Sequence, residues 1–146
     1  MARPSDILLV EDNPADVELT LEAFRISNKG NRLVVCRDGE EAIEYLFQCG
    51  RYRRLAGALR PDLVLLDLNL PRMSGVDVLA LIRKNERLRA LPVVVFTTSE
   101  REEDIASSFL HGANSYLTKP VKFDECVQLV GLIQHYWLEL SKLPPR

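Results

Sequence analysis

The amino-acid sequence predicts an α/β protein built on a doubly wound, five-stranded parallel sheet with five helices. Four short apolar runs lie along the 146 residues, followed by a fifth, more polar strand segment, and continuous apolar runs are typical of strands buried on both faces of a parallel sheet. Each run is followed by a segment of helical length, which favours parallel strands joined by right-handed crossovers. The sequence therefore predicts βα repeated five times.

The first two strand–helix units are marked by capping and turn residues. Asn13 followed by Pro14 predicts the start of a helix, because Asn is a favourable N-cap and Pro fits the first helical turn. Residues 48–60 contain four arginines and are predicted to be the end of a helix and an exposed loop, with a basic patch for an acidic partner as the alternative. The predicted elements are strand 7–10, helix 14–27, strand 33–36 and helix 40–47.

The other three units follow the same pattern. Ser74-Gly75 predicts the start of the third helix, and Ser99 is the predicted N-cap of the fourth. Gly112 ends that helix before the fifth strand. The predicted elements are strand 63–66, a helix from 75 to about 83, strand 93–96, helix 100–111, strand 115–118 and a helix from 123 to about 140.

Five such units predict the flavodoxin-like strand order 2-1-3-4-5. In that order the connections switch direction between the first and third strands, and ligands of such sheets bind outside the carboxyl ends of the strands at this point. Residues 1–146 are predicted to form a single domain, with an extension of the last helix and a tail at about 136–146.

Composition and charge argue against several classes of function. The chain is 47% hydrophobic and 27% charged, with a formal net charge of -2, so it has no overall basic field for nucleic acid or anionic membranes. Its apolar runs are far shorter than the roughly 20 residues of a membrane span, and a cytoplasmic location is the expectation. The three cysteines lack metal-ligand spacing and are predicted to be free thiols.

Carboxylates follow two of the predicted strands. Glu11 and Asp12 follow the first strand and Asp67 follows the third, so all three should meet at the switch point. Three carboxylates repel one another unless a cation neutralises them, and oxygen ligands suit Mg²⁺. We expect Mg²⁺ to be held by these residues and by the main-chain carbonyl of Asn69. The second carboxylate oxygen of Asp67 would then be free to accept a phosphoryl group.

Polar side chains also follow the fourth and fifth strands. The Thr97 hydroxyl and the Lys119 ammonium are suited to balance the charge of phosphoryl oxygens. Each residue also has a plainer interpretation: Asp67 as a turn cap, Thr97 as a β-branched strand residue and Lys119 as surface charge. Thr98 is the alternative to Thr97 as the hydroxyl.

Together these residues resemble the receiver domain of two-component response regulators along nearly the whole chain. The resemblance implies that a histidine kinase donates the phosphoryl group, that Mg²⁺ assists, and that phosphorylation switches the surface of the fourth and fifth strand–helix units. The implied roles are an acidic pair for Glu11 and Asp12, phosphoacceptor for Asp67, metal-carbonyl position for Asn69, switch hydroxyl for Thr97, switch aromatic for Tyr116, and Lys119 followed by a cis peptide bond to Pro120.

The basic loop and residues 135–145 further resemble single-domain regulators paired with cyanobacterial and bacterial phytochrome kinases. This implies a phytochrome as the sensor kinase and an output that comes from the receiver itself. One alternative is a phosphotransfer shuttle within a phosphorelay. Another is a haloacid-dehalogenase-like phosphohydrolase, which is disfavoured because Asn69 replaces the second Asp that such enzymes need. A phosphorylation-independent interaction module is the third.

The pattern of apolar residues in the C-terminal helix predicts a homodimer. At about 100° per residue its apolar side chains cover more of the circumference than docking to one sheet requires. The Pro144-Pro145 end cannot continue a helix and is predicted to extend onto a second subunit, with a frayed tail as the alternative. The sheet-facing stripe is predicted to be Cys126, Leu129, Val130, Ile133, Tyr136, Trp137 and Leu140. Val127, Leu132 and Leu138 are predicted to lie outside it. The predicted dimer contacts are Trp137, Leu138, Leu143 and Pro144.

Overall fold

The computed structural model describes residues 6–27, 29–55 and 60–145. The two ends of the predicted 1–146 domain and residues 56–59 of the predicted loop lie outside this description. Five strands and five α-helices alternate within it. They are β1 Asp6–Val10, α1 Pro14–Ser27, β2 Arg32–Cys36, α2 Gly39–Phe47, β3 Leu63–Leu66, α3 Gly75–Lys84, β4 Val93–Thr97, α4 Glu102–Leu110, β5 Ser115–Thr118 and α5 Phe123–Gln134.

The strands form one parallel sheet in the order β2-β1-β3-β4-β5, which confirms the predicted fold class. Successive side chains of β1 point to opposite faces. Leu8 and Val10 pack in the cluster beneath α2 and α3, whereas Ile7 and Leu9 pack in the cluster beneath α1 and α5. Both clusters are buried, and this two-sided core holds the carboxyl ends of the strands in fixed positions.

The segment between α2 and β3 is partly ordered as a 3₁₀ turn at Gly50–Leu55. Arg51 binds the Glu44 carboxylate, and the Tyr52 hydroxyl donates to Glu41 at 2.6 Å. Tyr52 also meets the Tyr45 ring edge-on, at 5.1 Å between centroids. The predicted exposed loop is therefore anchored to α2 at its start.

The fourth helix begins later than predicted, and Ser99 is not its N-cap. The helix starts at Glu102, with Arg101 at the cap position and no side-chain cap. The Ser99 hydroxyl instead donates to Asp104 at 2.5 Å and accepts from the Arg101 amide. Ser99 thus bridges the end of β4 and the first turn of α4.

The last helix changes geometry near its end. α5 stops at Gln134 and continues as a π-helix at His135–Leu140, which ends with a hydrogen bond from the Ser141 amide to Tyr136 O at 2.7 Å. This wider turn rotates the following side chains relative to an α-helix. The sequence gives no clear signal for such a turn.

The rotation makes part of the predicted apolar stripe wrong. Leu138, predicted to lie outside the stripe, packs against the core together with Trp137. Tyr136 and Leu140, predicted to face the sheet, are 55% and 62% exposed. Val127, also predicted to lie outside the stripe, packs against the same core, but it precedes the π-helix and its position does not depend on the rotation.

The C-terminal tail lies against the amino-terminal edge of its own sheet. Leu143 and Pro144 line a small cavity together with residues 60–62, Leu91 and Pro92. The Arg60 guanidinium reaches Pro145 O at 3.5 Å. The tail was predicted to extend onto a second subunit, but here it packs against its own chain. None of the described helices is both long and apolar enough to cross a membrane.

Candidate functional site

The carboxylates predicted to converge do lie together at the carboxyl edge of the sheet. Val10 and Leu66 are partners in the β1–β3 ladder, so the next residues, Glu11 and Asp67, emerge side by side. The Asp67 amide donates to Val10 O at 3.0 Å and fixes this position. One carboxylate oxygen from each of Glu11, Asp12 and Asp67 lies within 4.8 Å of the others.

Lys119 lies in the middle of this acidic cluster. Its Nζ contacts the Glu11 carboxylate and lies 3.1 Å from Asp16 Oδ2 and 3.6 Å from Asp67 Oδ2. The Lys119 amide donates to Thr97 O at 2.7 Å, which ties the end of β5 to the end of β4. Sequence reasoning missed Asp16, although its place on the first turn of α1, five residues after Glu11, was a usable signal.

The electrostatics of the cluster favour an additional cation. Burial raises the pKa of Glu11 to about 7, and the charge of Asp67 adds to this effect, whereas the Lys119 hydrogen bond opposes it. Burial alone would lower the pKa of Lys119, but Glu11 and Asp67 outweigh it and the pKa is raised. One ammonium among several acidic groups leaves an excess of negative charge.

A divalent metal ion fits the residues that are present. Asp67 Oδ1 is buried and has no hydrogen-bond partner among the described residues. A buried acceptor of this kind needs a donor or a cation. The oxygen ligands of Glu11, Asp12 and Asp67 match the preference of Mg²⁺ and Mn²⁺ for carboxylates.

Thr97 and Tyr116 lie beside the acidic cluster. Thr97 is fully buried and its Oγ1 also has no partner within the described part of the chain, whereas Thr98 is exposed. Thr97 is therefore the better candidate for the switch hydroxyl. The half-buried Tyr116 donates its hydroxyl to Ser99 O at 2.9 Å. Its ring is anchored to the loop after β4, next to Thr97.

The predicted cis bond before Pro120 is wrong, because the Lys119–Pro120 peptide is trans and none of the described peptide bonds is cis. Trans is the intrinsically favoured isomer even before proline. The trans chain still carries Lys119 Nζ to Glu11 and Asp67.

Comparison with known proteins explains this arrangement. The sequence pattern of the response regulator receiver domain matches residues 7–131. The chain belongs to this family. Receiver domains are signalling proteins that bind a divalent metal ion and pair with histidine kinases.

Three relatives of this receiver domain are similar to it in length as well as in sequence. The response regulator Rcp1 of Synechocystis is 43% identical over 97% of this chain and 94% of its own, and its Mn²⁺-bound structure superposes with a TM-score of 0.87. The phosphorylated cyanobacterial phytochrome response regulator RcpA is 44% identical over 98% of this chain and 100% of its own, with a TM-score of 0.90. The probable methanogenesis regulatory protein FilR2 of Methanothrix harundinacea is 42% identical over 97% of this chain and 88% of its own.

The loop that follows Asp67 in this receiver domain is packed tightly against the start of α3. The Gly75 amide donates to Leu68 O at 3.0 Å. A Cβ atom at Gly75 would lie 2.3 Å from Asp67 O, a distance that no real contact reaches. Ser74 caps the helix and exchanges hydrogen bonds with Asp77 in a capping box. Gly75 is thus required for the close approach of α3 to Asp67.

The same loop contains a strained residue that sequence reasoning missed. Arg72 adopts φ 64°, in the left-handed region, which costs a residue other than glycine about 1–2 kcal/mol. Its guanidinium NH2 lies 2.9 Å from Asp38 Oδ2, and its Nε lies 3.4 Å from Glu40 Oε1. No sequence rule predicts this conformation for an arginine. Asn69, the predicted metal-carbonyl position, is exposed three residues earlier.

Gly75→Ala should weaken divalent-ion binding, because the added methyl group must displace either α3 or the Asp67 backbone. Mn²⁺ binding followed by electron paramagnetic resonance, with a thermal melt on the same sample, measures both effects. Gly131→Ala is the matched control, since a Cβ there would meet only Ser27 Oγ at 3.7 Å, an ordinary contact. Wild-type Mn²⁺ affinity in Gly75→Ala would contradict the packing argument.

Proposed function

We propose that this protein is a response regulator that accepts a phosphoryl group from a histidine kinase on Asp67, with Mg²⁺ as the physiological cofactor. The observation that carries the proposal is the environment of Asp67. Its Oδ1 is buried without a partner in the described structure, and its Oδ2 lies 3.6 Å from the Lys119 ammonium. One oxygen is thus paired with a cation, and the other is available to a metal ion or a phosphorus atom.

The reaction proposed is a direct transfer between the kinase histidine and Asp67. A carboxylate oxygen of Asp67 attacks phosphorus, the new P–O bond forms, and the P–N bond breaks with its electron pair returning to the imidazole. When bound, the divalent ion neutralises charge on the phosphoryl oxygens. Lys119 and the Thr97 hydroxyl supply further positive charge and a hydrogen bond. The same groups would assist the later hydrolysis of the aspartyl phosphate. The protein would then promote both its own phosphorylation and its own dephosphorylation, and would act as a signalling switch.

We assign the divalent ion to residues of the first and third strand ends. Glu11, Asp12 and Asp67 would supply carboxylate oxygens, and the main-chain carbonyl of Asn69 would complete the set from the loop. Mg²⁺ is favoured over other ions because it binds through few carboxylates and retains several waters. The Mn²⁺ in the Rcp1 structure supports a divalent site of this type.

A phytochrome is the sensor kinase that the relatives favour. RcpA is described as a cyanobacterial phytochrome response regulator, and a further relative of 41% identity as a bacteriophytochrome response regulator. FilR2, at nearly equal identity, is described as a methanogenesis regulator, so similarity alone supports other inputs too. Phosphotransfer from purified kinases of both types tests the choice. Onward transfer from Asp67 to a histidine protein would instead favour a phosphorelay shuttle.

A homodimer through the C-terminal segment remains part of the proposal. The exposed apolar residues Leu132, Tyr136 and Leu140 are spaced four residues apart on one side of α5 and the π-helix. Two of the predicted dimer contacts, Trp137 and Leu138, pack against the core of their own chain. We therefore propose that the dimer contact is made by the exposed residues Leu132, Tyr136 and Leu140. Within one chain, Leu143 and Pro144 line a cavity at the amino-terminal edge of the sheet. In the proposed dimer, they would occupy the equivalent cavity of the partner subunit.

Asp67→Asn should abolish phosphorylation by a cognate kinase, because an amide oxygen is a much weaker nucleophile than a carboxylate. Acid-labile and base-labile radiolabel on the protein is the measurement. Asp62→Asn is the matched control, since Asp62 precedes β3 at the opposite edge of the sheet. Full labelling of Asp67→Asn, or labelling of the wild type in excess chelator, would refute the assignment of acceptor and metal.

The Thr97→Ala variant should still be phosphorylated, but phosphorylation should cause a much smaller movement of the Tyr116 ring. A new phosphoryl dianion recruits the Thr97 hydroxyl, and the space vacated allows the Tyr116 ring to turn inward. Tyrosine-ring NMR signals before and after phosphorylation report this movement, with Thr98→Ala as the exposed neighbouring control. An unchanged Tyr116 response in Thr97→Ala would remove Thr97 from the switch.

Leu132→Glu combined with Leu140→Glu should convert the protein to a monomer, because two charges would be placed in the proposed contact. Sedimentation velocity across a concentration series measures the change. Leu110→Glu on α4 is the control, since Leu110 is 84% exposed and lies outside the C-terminal segment. An unmodified protein that sediments as a monomer at high concentration would exclude the dimer.

A further inference from the structure

Arg72 occupies a backbone conformation that its own chemistry disfavours. Its φ of 64° lies in the region that Gly30, Gly50 and Gly112 adopt at other turns of this chain. A residue with a Cβ is held there only when the surrounding contacts determine the conformation. Contacts around Arg72 must therefore hold the loop in this conformation.

Those contacts reach across to the start of α2. Arg72 NH2 donates to Asp38 Oδ2 at 2.9 Å, and Arg72 Nε lies 3.4 Å from Glu40 Oε1. The other oxygen of Asp38 accepts from the Glu41 amide at 2.7 Å and caps the helix. A single carboxylate thus joins Arg72 to the N-terminus of α2.

A second contact lies directly beside the first. A Cβ atom at Gly39 would lie 2.8 Å from Met73 O and 3.0 Å from Met73 Cβ, so the two backbones touch. Met73 follows Arg72, and Gly39 follows Asp38. The loop between Asp67 and α3 is consequently joined to the start of α2 by a charged contact and a close backbone contact.

We propose that Arg72 is a positioning residue for the metal site. Its guanidinium holds residues 68–74 against the start of α2 and so fixes the direction of the Asn69 carbonyl, three residues before it. The loop is attached to the sheet at one end through Asp67 and to α3 at the other through Gly75. Arg72 restrains the part of the loop between these two attachments. Asn69 lies in this part of the loop and is exposed. The metal part of this inference rests on the proposed function.

Arg72→Gly separates the side chain from the backbone conformation. Glycine adopts a positive φ without strain, so a purely local backbone role for residue 72 would be preserved or improved. If the side chain holds the loop, the amides of residues 68–70 and 72–74 in the metal-free protein should exchange hydrogen faster in Arg72→Gly. Amides in β1 and β3 should be unchanged. Arg72→Asn, which also tolerates this region, should behave like Arg72→Gly, and Arg72→Lys should recover part of the protection.

Metal binding is the second readout. Mn²⁺ affinity should fall roughly tenfold in Arg72→Gly, at the lower end of the range for groups that orient metal ligands. Glu40→Gln should lower it in the same direction by less, and should add nothing in the Arg72→Gly background. Arg25→Ala, which removes an exposed arginine bound to Glu22 near the end of α1, should leave both readouts unchanged.

Unchanged exchange at 68–74 in both Arg72→Gly and Arg72→Asn would overturn the proposal, as would a uniform rise in exchange throughout the chain. Faster loop exchange with wild-type Mn²⁺ affinity would overturn the link to the metal site. The exchange experiment needs neither kinase nor metal. A failure of Asp67 to accept phosphate is therefore distinguishable from a failure of the Arg72 contact.

Discussion

The concentration of negative charge at the carboxyl edge of the sheet determines how this molecule works. Glu11 and Asp67 are almost fully buried, and the ammonium of Lys119 lies between them. Burying carboxylates is expensive unless each is paired, and Lys119 alone does not pair every oxygen. The site is consequently built to receive more positive charge. The excess of negative charge favours binding of a metal ion. It also leaves one Asp67 oxygen without a partner in the described structure, and that oxygen is available to attack phosphorus.

The rest of the fold serves to hold these charges at short distances. The two core clusters fix the strand ends, and the amides of Asp67 and Lys119 are bonded to the neighbouring strands. The loops are less constrained by the core and are fixed by specific contacts. Gly75 permits α3 to touch the Asp67 backbone, and Arg72 ties the same loop to α2. Thr97 is the adaptable element, because its buried hydroxyl has no partner among the described residues.

Sequence reasoning was effective where short-range patterns determine structure. Apolar runs identified four of the five strands, and the geometry of parallel sheets placed Glu11, Asp12 and Asp67 together. It failed where long-range contacts decide the outcome. The π-helical turn after Gln134 and the left-handed Arg72 depend on tertiary packing, which leaves no local signature. The cis bond before Pro120 was implied by the family resemblance alone, and the trans bond found there is the isomer that the chain intrinsically favours.

The most direct test of the account is to map the phosphorylated residue chemically. Borohydride reduces an aspartyl phosphate to homoserine, which peptide mass spectrometry locates without any substitution in the protein. We expect homoserine at position 67 after incubation with phosphorylated kinase and Mg²⁺, and none when the metal is removed. Homoserine at Asp12 or Asp16, or a stable phosphate on Thr97, would contradict it.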